Sequence, residues 1–376
     1  PITLKNYFEK DNMLDEVGGT EYLVKLTRFS GSIKQCIDYA KIIQEMYLRR
    51  QLVLISDKLN SDTLNANSQE QNAENIIENT SDEIFVMQIA SQTKERRGAI
   101  VFMHGAGSGS SAIWDLQYKD YSVMKYFACR GFDTYALDAR GFGGSSMPKQ
   151  MHRPAEESPP VIRAKQVQKD LDTLVNYARR VSTKKKVDLV AWSWGCVVSG
   201  MYAGNQADKI RRLVLFAPVY DRKNPKRHKT KNAWRKLNKQ DVLKYYTEQR
   251  EEEPVWVEHI NAMFRFTKTS ELRLPNGPYQ DIYGESAPIW DAGKIQGPTL
   301  IIRGDQDRAS THEAAQNLYD ALKNAKSRQW VTVAGANHFL PRERGHHQFK
   351  AIVGSFLEPI QLTVPLSTKD NENKTK

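Results

Sequence analysis

From Ala99 onward the sequence alternates short apolar runs with amphipathic helical segments, and that alternation restricts the chain to a mostly parallel sheet with helices on both faces. The runs are AIVFM, FDTYALD, VDLVAW, RLVLFAP, PTLIIRG and QWVTVAG. Helical segments fall at DYSVMKYFACRG, at about 161–181, directly after Ser193, at about 313–322 and at about 345–357. VDLVAW lacks the polar alternation of a half-solvated strand, so both of its faces are expected to be buried. Between Pro218 and Gly297 the alternation breaks, and a basic, Trp-containing stretch reads as a helical cap of about 221–292 inserted into the sheet.

In an open parallel sheet, reactive groups gather at the carboxyl ends of strands, so the residues that follow each apolar run carry the information. AIVFM ends in His104-Gly105-Ala106-Gly107, a turn able to aim backbone N–H groups at a developing oxyanion. VDLVAW ends in Ser193, where a buried strand meets the small-residue helix WGCVVSGMYAG. That is the context of a strained nucleophile turn, although the usual G-x-S-x-G begins here with Ala191. PTLIIRG ends in Asp305-Gln306-Asp307, and QWVTVAGAN ends in His338. Serine needs a base to take its proton, and the base needs a carboxylate to hold its tautomer. The chain order Ser, Asp, His suits this topology.

Each residue also has a plainer reading. Ser193 could be an ordinary loop serine, Asp307 could cap the following helix, Asp305 could do the same or close an Asx turn, and His338 could be a satisfied loop histidine. His346 and His347 read as residues of an exposed helix. The coincidence of three such residues with three strand ends, in this order, favours chemistry over structure.

HGAG (His104–Gly107), LDARGFGGSS (Leu137–Ser146), AWSWG, GDQD (Gly304–Asp307) and NHF (Asn337–Phe339) together resemble the α/β-hydrolase superfamily over about residues 99–357. The resemblance implies that Ser193 is the nucleophile, His338 the base and Asp307 the acid, with Asp305 as the alternative. It places the oxyanion hole at the backbone N–H groups of Ala106 and Trp194, supported by His104, Gly105 and Gly195. A serine at the elbow argues against the dehalogenase and epoxide hydrolase branches, which carry aspartate there. Ester hydrolysis on a small-molecule substrate is the expected reaction, and prolyl-aminopeptidase-like amide hydrolysis is the alternative within the superfamily. No cofactor or metal is implied.

A dinucleotide-binding reading competes for the same turn. Gly107-Ser108-Gly109-Ser110-Ser111-Ala112 fits G-x-G-x-x-A after a strand, and Asp138 ends the next strand. Asp138 lies 31 residues beyond Gly107, far for a ribose carboxylate, and the cofactor reading leaves Ser193 and His338 without a role. No phosphate-loop G-x-x-x-x-G-K-[ST] occurs.

The formal net charge is +11, and between Arg222 and Lys244 there are ten Lys/Arg and one Asp. A solvated helical face accounts for this stretch better than a nucleic-acid surface. The three cysteines, Cys36, Cys129 and Cys196, have neither disulfide-framework nor metal-site spacing, which fits a reducing cytoplasm. No run approaches the roughly 20 apolar residues of a membrane span.

The first 60 residues read as helices, and SDTLNANSQEQNAENIIENTSDE has linker composition. LDEVGGTEYLVKLTRFSGSIKQCIDYAKIIQEMYLRRQLV resembles the N-terminal collar domain of replicative DnaB-type helicases, and NAENIIENTSDEIF their linker. That likeness covers about residues 2–97 and implies self-association or primase contact through the N-terminal helices, without the ATPase motor. The resulting division is a helical segment at 1–60, a linker at 61–97, the hydrolase-like body at 98–358 and a disordered tail at 359–376. Glu83–Ser91 is claimed twice, as the hydrolase's one upstream strand and as helicase linker. The two likenesses place a junction near residues 92–98 and leave the sheet short at that edge, an aggregation liability.

Overall fold

The computed structural model describes residues 83–221, 231–249, 254–267, 269–284 and 287–358. The helices expected over 1–60, the linker as far as residue 82 and the tail over 359–376 lie outside the described residues. The chain divides into two units, Pro1–Asp82 and Glu83–Lys376, and all that follows concerns the second.

Among the described residues, β1 (Val86–Ile89), β2 (Gly98–Met103), β3 (Phe132–Leu137), β4 (Val187–Trp192), β5 (Ile210–Phe216), β8 (Thr299–Gly304) and β9 (Arg328–Val333) form one sheet. Its order is β1-β3-β2-β4-β5-β8-β9. Every pair is parallel except β1 on β3, whose register sets Val86 opposite Leu137 and Ile89 opposite Thr134. The alternation read from the sequence has produced the expected architecture.

Side chains alternate between two cores along each strand, as a period of two requires. Val101, Met103, Leu189, Ala191, Leu213 and Leu215 fill one face, against α2 (Ala164–Ser182), α3 (Trp194–Asn205) and α7 (His312–Ala321). Ile100, Phe102, Val190, Trp192, Val214 and Phe216 fill the other, against α1 (Val123–Ala128) and α8 (His346–Leu357). Burial on both faces explains why the strands read as continuous apolar runs.

The structure decides one open reading and refines another. Val86–Ile89, within the stretch claimed both as upstream strand and as helicase linker, is a sheet strand. Its backbone is fixed to the β3 side, because the Ser145 hydroxyl accepts from Phe85 N at 2.8 Å and the Asp133 carboxylate accepts from Ser91 N at 2.9 Å. The sheet therefore gains an antiparallel edge strand of four residues, short as edge strands tend to be where aggregation is held down. The cap between β5 and β8 is also not purely helical. It holds an antiparallel pair, β6 (Trp234–Asn238) with β7 (Glu271–Pro275), besides α4 (Lys239–Gln249), α5 (Pro254–Met263) and α6 (Gly277–Tyr283). Across this pair the Arg273 guanidinium of β7 lies 4.6 Å from the Trp234 ring centroid of β6, so a basic side chain lies along aromatic surface there.

Candidate active site

The fourth of the seven strands, β4, ends in Ser193, whose φ of 56° and ψ of −119° lie in a region non-glycine residues rarely occupy. Such strain costs of order 1–3 kcal/mol and persists only where the surroundings over-determine it. Here Ser193 N donates to Phe216 O on β5 at 3.0 Å, and Ser193 O accepts from Cys196 N at 2.9 Å as α3 begins. At Gly195 a Cβ would stand 2.5 Å from the His104 carbonyl oxygen and 2.7 Å from that of Met103, so only glycine lets α3 start this close to β2. Ala191, where a glycine is usual, is an ordinary β4 residue paired with Met103 and Leu215, and its position calls for no glycine freedom.

The end of β2 backs onto the elbow: a Cβ at Gly105 would lie 3.1 Å from that of Ser193. His104 is fully buried. Its Nε2 accepts from Ala139 N at 2.9 Å, which leaves the proton on Nδ1 to be donated to Gly105 O at 2.7 Å. Burial holds the ring's pKa below the ordinary histidine value, against the pull of the Asp138 carboxylate. A neutral His104 thus pins the Gly105–Ala106 peptide plane. In a trans peptide the N–H points opposite to the C=O, so pinning Gly105 O fixes the direction of Ala106 N–H. Neither Ala106 N nor Trp194 N donates to another group among the described residues.

The acid and base positions lie beyond β8 and β9. Asp307 Oδ2 stands 2.8 Å from His338 Nδ1, while Oδ1 accepts from Ala309 N at 2.7 Å and Ser310 N at 2.8 Å. One Asp307 oxygen thus holds the turn to Ala309 and Ser310 while the other meets His338. Burial pushes this carboxyl's pKa up, but the His338 ring and the two amides outweigh it, and the value lies below the ordinary aspartate. Asp305 is exposed and accepts from Gly335 N at 2.8 Å; its carboxylate ties the loop after β8 to the turn after β9. His338 is tied to the elbow through Trp192, whose indole N–H donates to His338 O at 2.9 Å. The Trp192 and His338 ring centroids lie 5.4 Å apart.

Gly304 sets this spacing. A Cβ there would overlap the Ala336 carbonyl and come within 2.7 Å of Asn337 N, so the Asp307 and His338 loops touch only because residue 304 has no side chain. Gly304→Ala is expected to separate them, lowering kcat/KM about 100-fold and stability by about 1–3 kcal/mol. Ester turnover and denaturant midpoints on the two proteins measure both effects, and unchanged turnover would contradict this account of the spacing.

The cap closes over these strand ends. His259 Nδ1 lies 2.8 Å from Ala112 O, and Phe339, next to His338, packs its ring 5.8 Å from that of Trp256 and 5.9 Å from that of His259. Asp281 on α6 accepts from the Trp194 indole N–H at 3.0 Å. From β6 the Arg235 guanidinium donates to Ala106 O at 2.6 Å, to Pro275 O at 2.7 Å and to Asn276 Oδ1 at 3.2 Å. Sequence reasoning absorbed Arg235 into the basic stretch and missed this reach. Only the pairing of β6 with β7, a long-range feature, aims it.

The dinucleotide alternative meets a physical obstacle. Asp138 is fully buried, and its carboxylate accepts from Ser110 N at 2.6 Å and Gly144 N at 2.9 Å. Those amides serve an anion the protein supplies itself, and the helix after the turn is three residues long. His346, expected on an exposed face, is buried and stacked on Tyr121 at 3.9 Å; His347 is the exposed one. Both histidines meet Asp120 in the one cluster of metal-ligand spacing among the described residues. Lys350 Nζ, 3.2 Å from the same Asp120 oxygen, already supplies the cation there.

Residues 94–345 match the family model described as serine aminopeptidase, S33. The chain belongs to this family. Solved structures of the same fold include an enol-lactonase from Burkholderia xenovorans (TM-score 0.53, 19% identity, 74% of this chain and 97% of that one). A monoacylglycerol lipase from Paleococcus ferrophilus gives a TM-score of 0.52 at 21% identity over 73% and 98% of the two chains. At such identities the likeness establishes the α/β-hydrolase fold alone. Residues 1–45 match the DnaB-like helicase N terminal domain model. The replicative DNA helicase DnaB of Rickettsia felis is 35% identical over 66 residues, 18% of this chain and 13% of the helicase. That of Rickettsia conorii is 33% identical over 76 residues, 20% of this chain and 15% of the helicase. The α/β-hydrolase thus carries a fragment similar to a small part of those helicases. No helix among the described residues is long and apolar enough to cross a membrane.

Proposed function

We propose that the chain is a serine hydrolase that cleaves carboxylic esters of small molecules through an acyl-enzyme. The observation that carries this reading is the Asp307–His338 hydrogen bond of 2.8 Å, tied by Trp192 to the strained residue that follows it, Ser193. In this reading Ser193 Oγ attacks the ester carbonyl and His338 Nε2 takes its proton. Asp307 keeps the Nδ1 proton in place and stabilises the charged ring. The Ala106 and Trp194 amides receive the oxyanion, each worth on the order of 10²–10³ in rate. His338 then protonates the leaving alcohol, and water repeats the sequence on the acyl-enzyme.

Ester rather than aminopeptidase chemistry is favoured by charge. Recognition of a substrate's free ammonium needs an anionic group near the reacting carbonyl, whereas among the described residues the charged cap side chain bonded to the oxyanion turn is Arg235. 4-Nitrophenyl butyrate is therefore expected to be hydrolysed with kcat/KM at least about 100-fold above that of proline 4-nitroanilide. Faster cleavage of the anilide would assign the aminopeptidase reaction instead.

The match of residues 1–45 supports a second, separate role, self-association or primase contact through that segment. Sedimentation of the full chain at rising concentration reads the first of these.

A further inference from the structure

Among the described residues Arg235 is a cation without a counter-ion, part-buried between the cap and the strand ends. Its three hydrogen bonds all go to neutral oxygens, those of Ala106, Pro275 and Asn276. Its guanidinium carbon sits 4.2 Å from the Tyr279 ring centroid. No carboxylate among the described residues pairs with it, and burial pushes its pKa below the ordinary arginine value. Some arginines of this unit are paired, Arg140 with Asp170 at 2.9 Å and Arg163 with Asp281 at 2.5 Å, while Arg303 and Arg342 donate to main-chain carbonyls as Arg235 does; of these three, Arg235 is the one bonded to the Ala106 turn. A part-buried charge left unpaired carries a desolvation cost, which a bound anion relieves.

The direction of the fork matters as much as its charge. A guanidinium has five N–H bonds, and the contacts of Arg235 use two at one Nη and one at the other. The N–H at Nε and the second at Nη2 have no acceptor among the described residues. Two N–H bonds on one edge are what a carboxylate takes in bidentate fashion. The bond to Ala106 O holds the guanidinium at the residue whose amide is assigned to the oxyanion hole.

We propose that Arg235 binds a carboxylate on the substrate, so that the preferred esters are monoesters of short dicarboxylic acids or others with an anionic group a few bonds from the scissile carbonyl. This deepens the ester hydrolase reading and rests on it for the reacting carbonyl. A guanidinium serving only to fasten β6 to the oxyanion turn would leave neutral and anionic esters equally good.

The test compares monoethyl succinate and monoethyl glutarate with their uncharged primary amides, ethyl succinamate and ethyl glutaramate, which match them in shape. The native protein is expected to favour the carboxylates by about 30-fold in kcat/KM, the range of a charged hydrogen-bonded pair. In Arg235→Gln that ratio should fall to about one, and in Arg235→Lys, which keeps the charge and loses the fork, it should stay several-fold above one. A native ratio near one would overturn the proposal, as would Gln and Lys variants in which both substrates weaken together at an unmoved ratio. Calorimetric titration of monoethyl succinate into Ser193→Ala, with and without Arg235→Gln, reads the same site without turnover. Binding that needs Arg235 in a protein hydrolysing none of the four esters would sink the hydrolase reading and keep the anion site. Hydrolysis without carboxylate preference would do the reverse, and neither binding nor hydrolysis would sink both.

Discussion

Ser193→Ala is expected to lower kcat for ester hydrolysis on the order of 10⁶-fold, because a triad works as a unit and its nucleophile has no substitute. The substitution removes only Oγ. Ser193 holds its positive φ through backbone bonds to Phe216 and Cys196, and the same bonds remain available to alanine. Stability should therefore change little, so that lost turnover reports lost chemistry rather than lost fold. Stopped assays at high enzyme concentration, with denaturant unfolding beside them, measure both. Retention of more than about one per cent of the native kcat would exclude Ser193 as the nucleophile.

Asp307→Asn is expected to cost about 10⁴-fold in kcat. An amide can present its NH₂ to His338 Nδ1, which favours the tautomer with its proton on Nε2, where it cannot accept one from serine. Asp305→Asn, at a carboxylate that only ties its loop to Gly335, should leave kcat within about three-fold of native. The Asp307 carboxyl also carries a pH signature. Its folded pKa lies below the ordinary value, so its contribution to stability is complete above the pKa of about 3.9 of an unfolded aspartate and is lost as pH falls through the lower folded value. The stability difference between native and Asp307→Asn proteins should accordingly be constant near pH 6 and shrink below about pH 4. A difference that grows on acidification would mean that burial, not His338, governs this carboxyl.

The candidate site could be proposed from sequence because its pattern is local. Ser193, Asp307 and His338 each follow an apolar run, and a strand's carboxyl end can be read from a single window of sequence. The resemblance favours Asp307 over Asp305; what only the three-dimensional turn shows is that Oδ1 of Asp307 is held by the Ala309 and Ser310 amides while Oδ2 meets His338. Long-range pairing was harder to read. VMQI carries a weak strand pattern with one side half exposed, and only its partner β3 shows that it closes the sheet edge. WRKLN and ELRLP look like pieces of a basic helical cap until they pair with each other. His346 looked exposed beside His347 because the ring it stacks on, Tyr121, lies far away in the chain. Arg235 was hidden in the same way, since its three acceptors come from residues 106, 275 and 276.

The most direct test of the central claim is covalent labelling with a fluorophosphonate probe, followed by mapping of the modified peptide. Such a probe reports an assembled nucleophile, base and oxyanion hole without knowledge of the substrate. The account expects stoichiometric labelling of the native chain on Ser193, absent in Ser193→Ala and strongly slowed in Asp307→Asn. A folded native chain that takes up no probe, or takes it up on another residue, would contradict it.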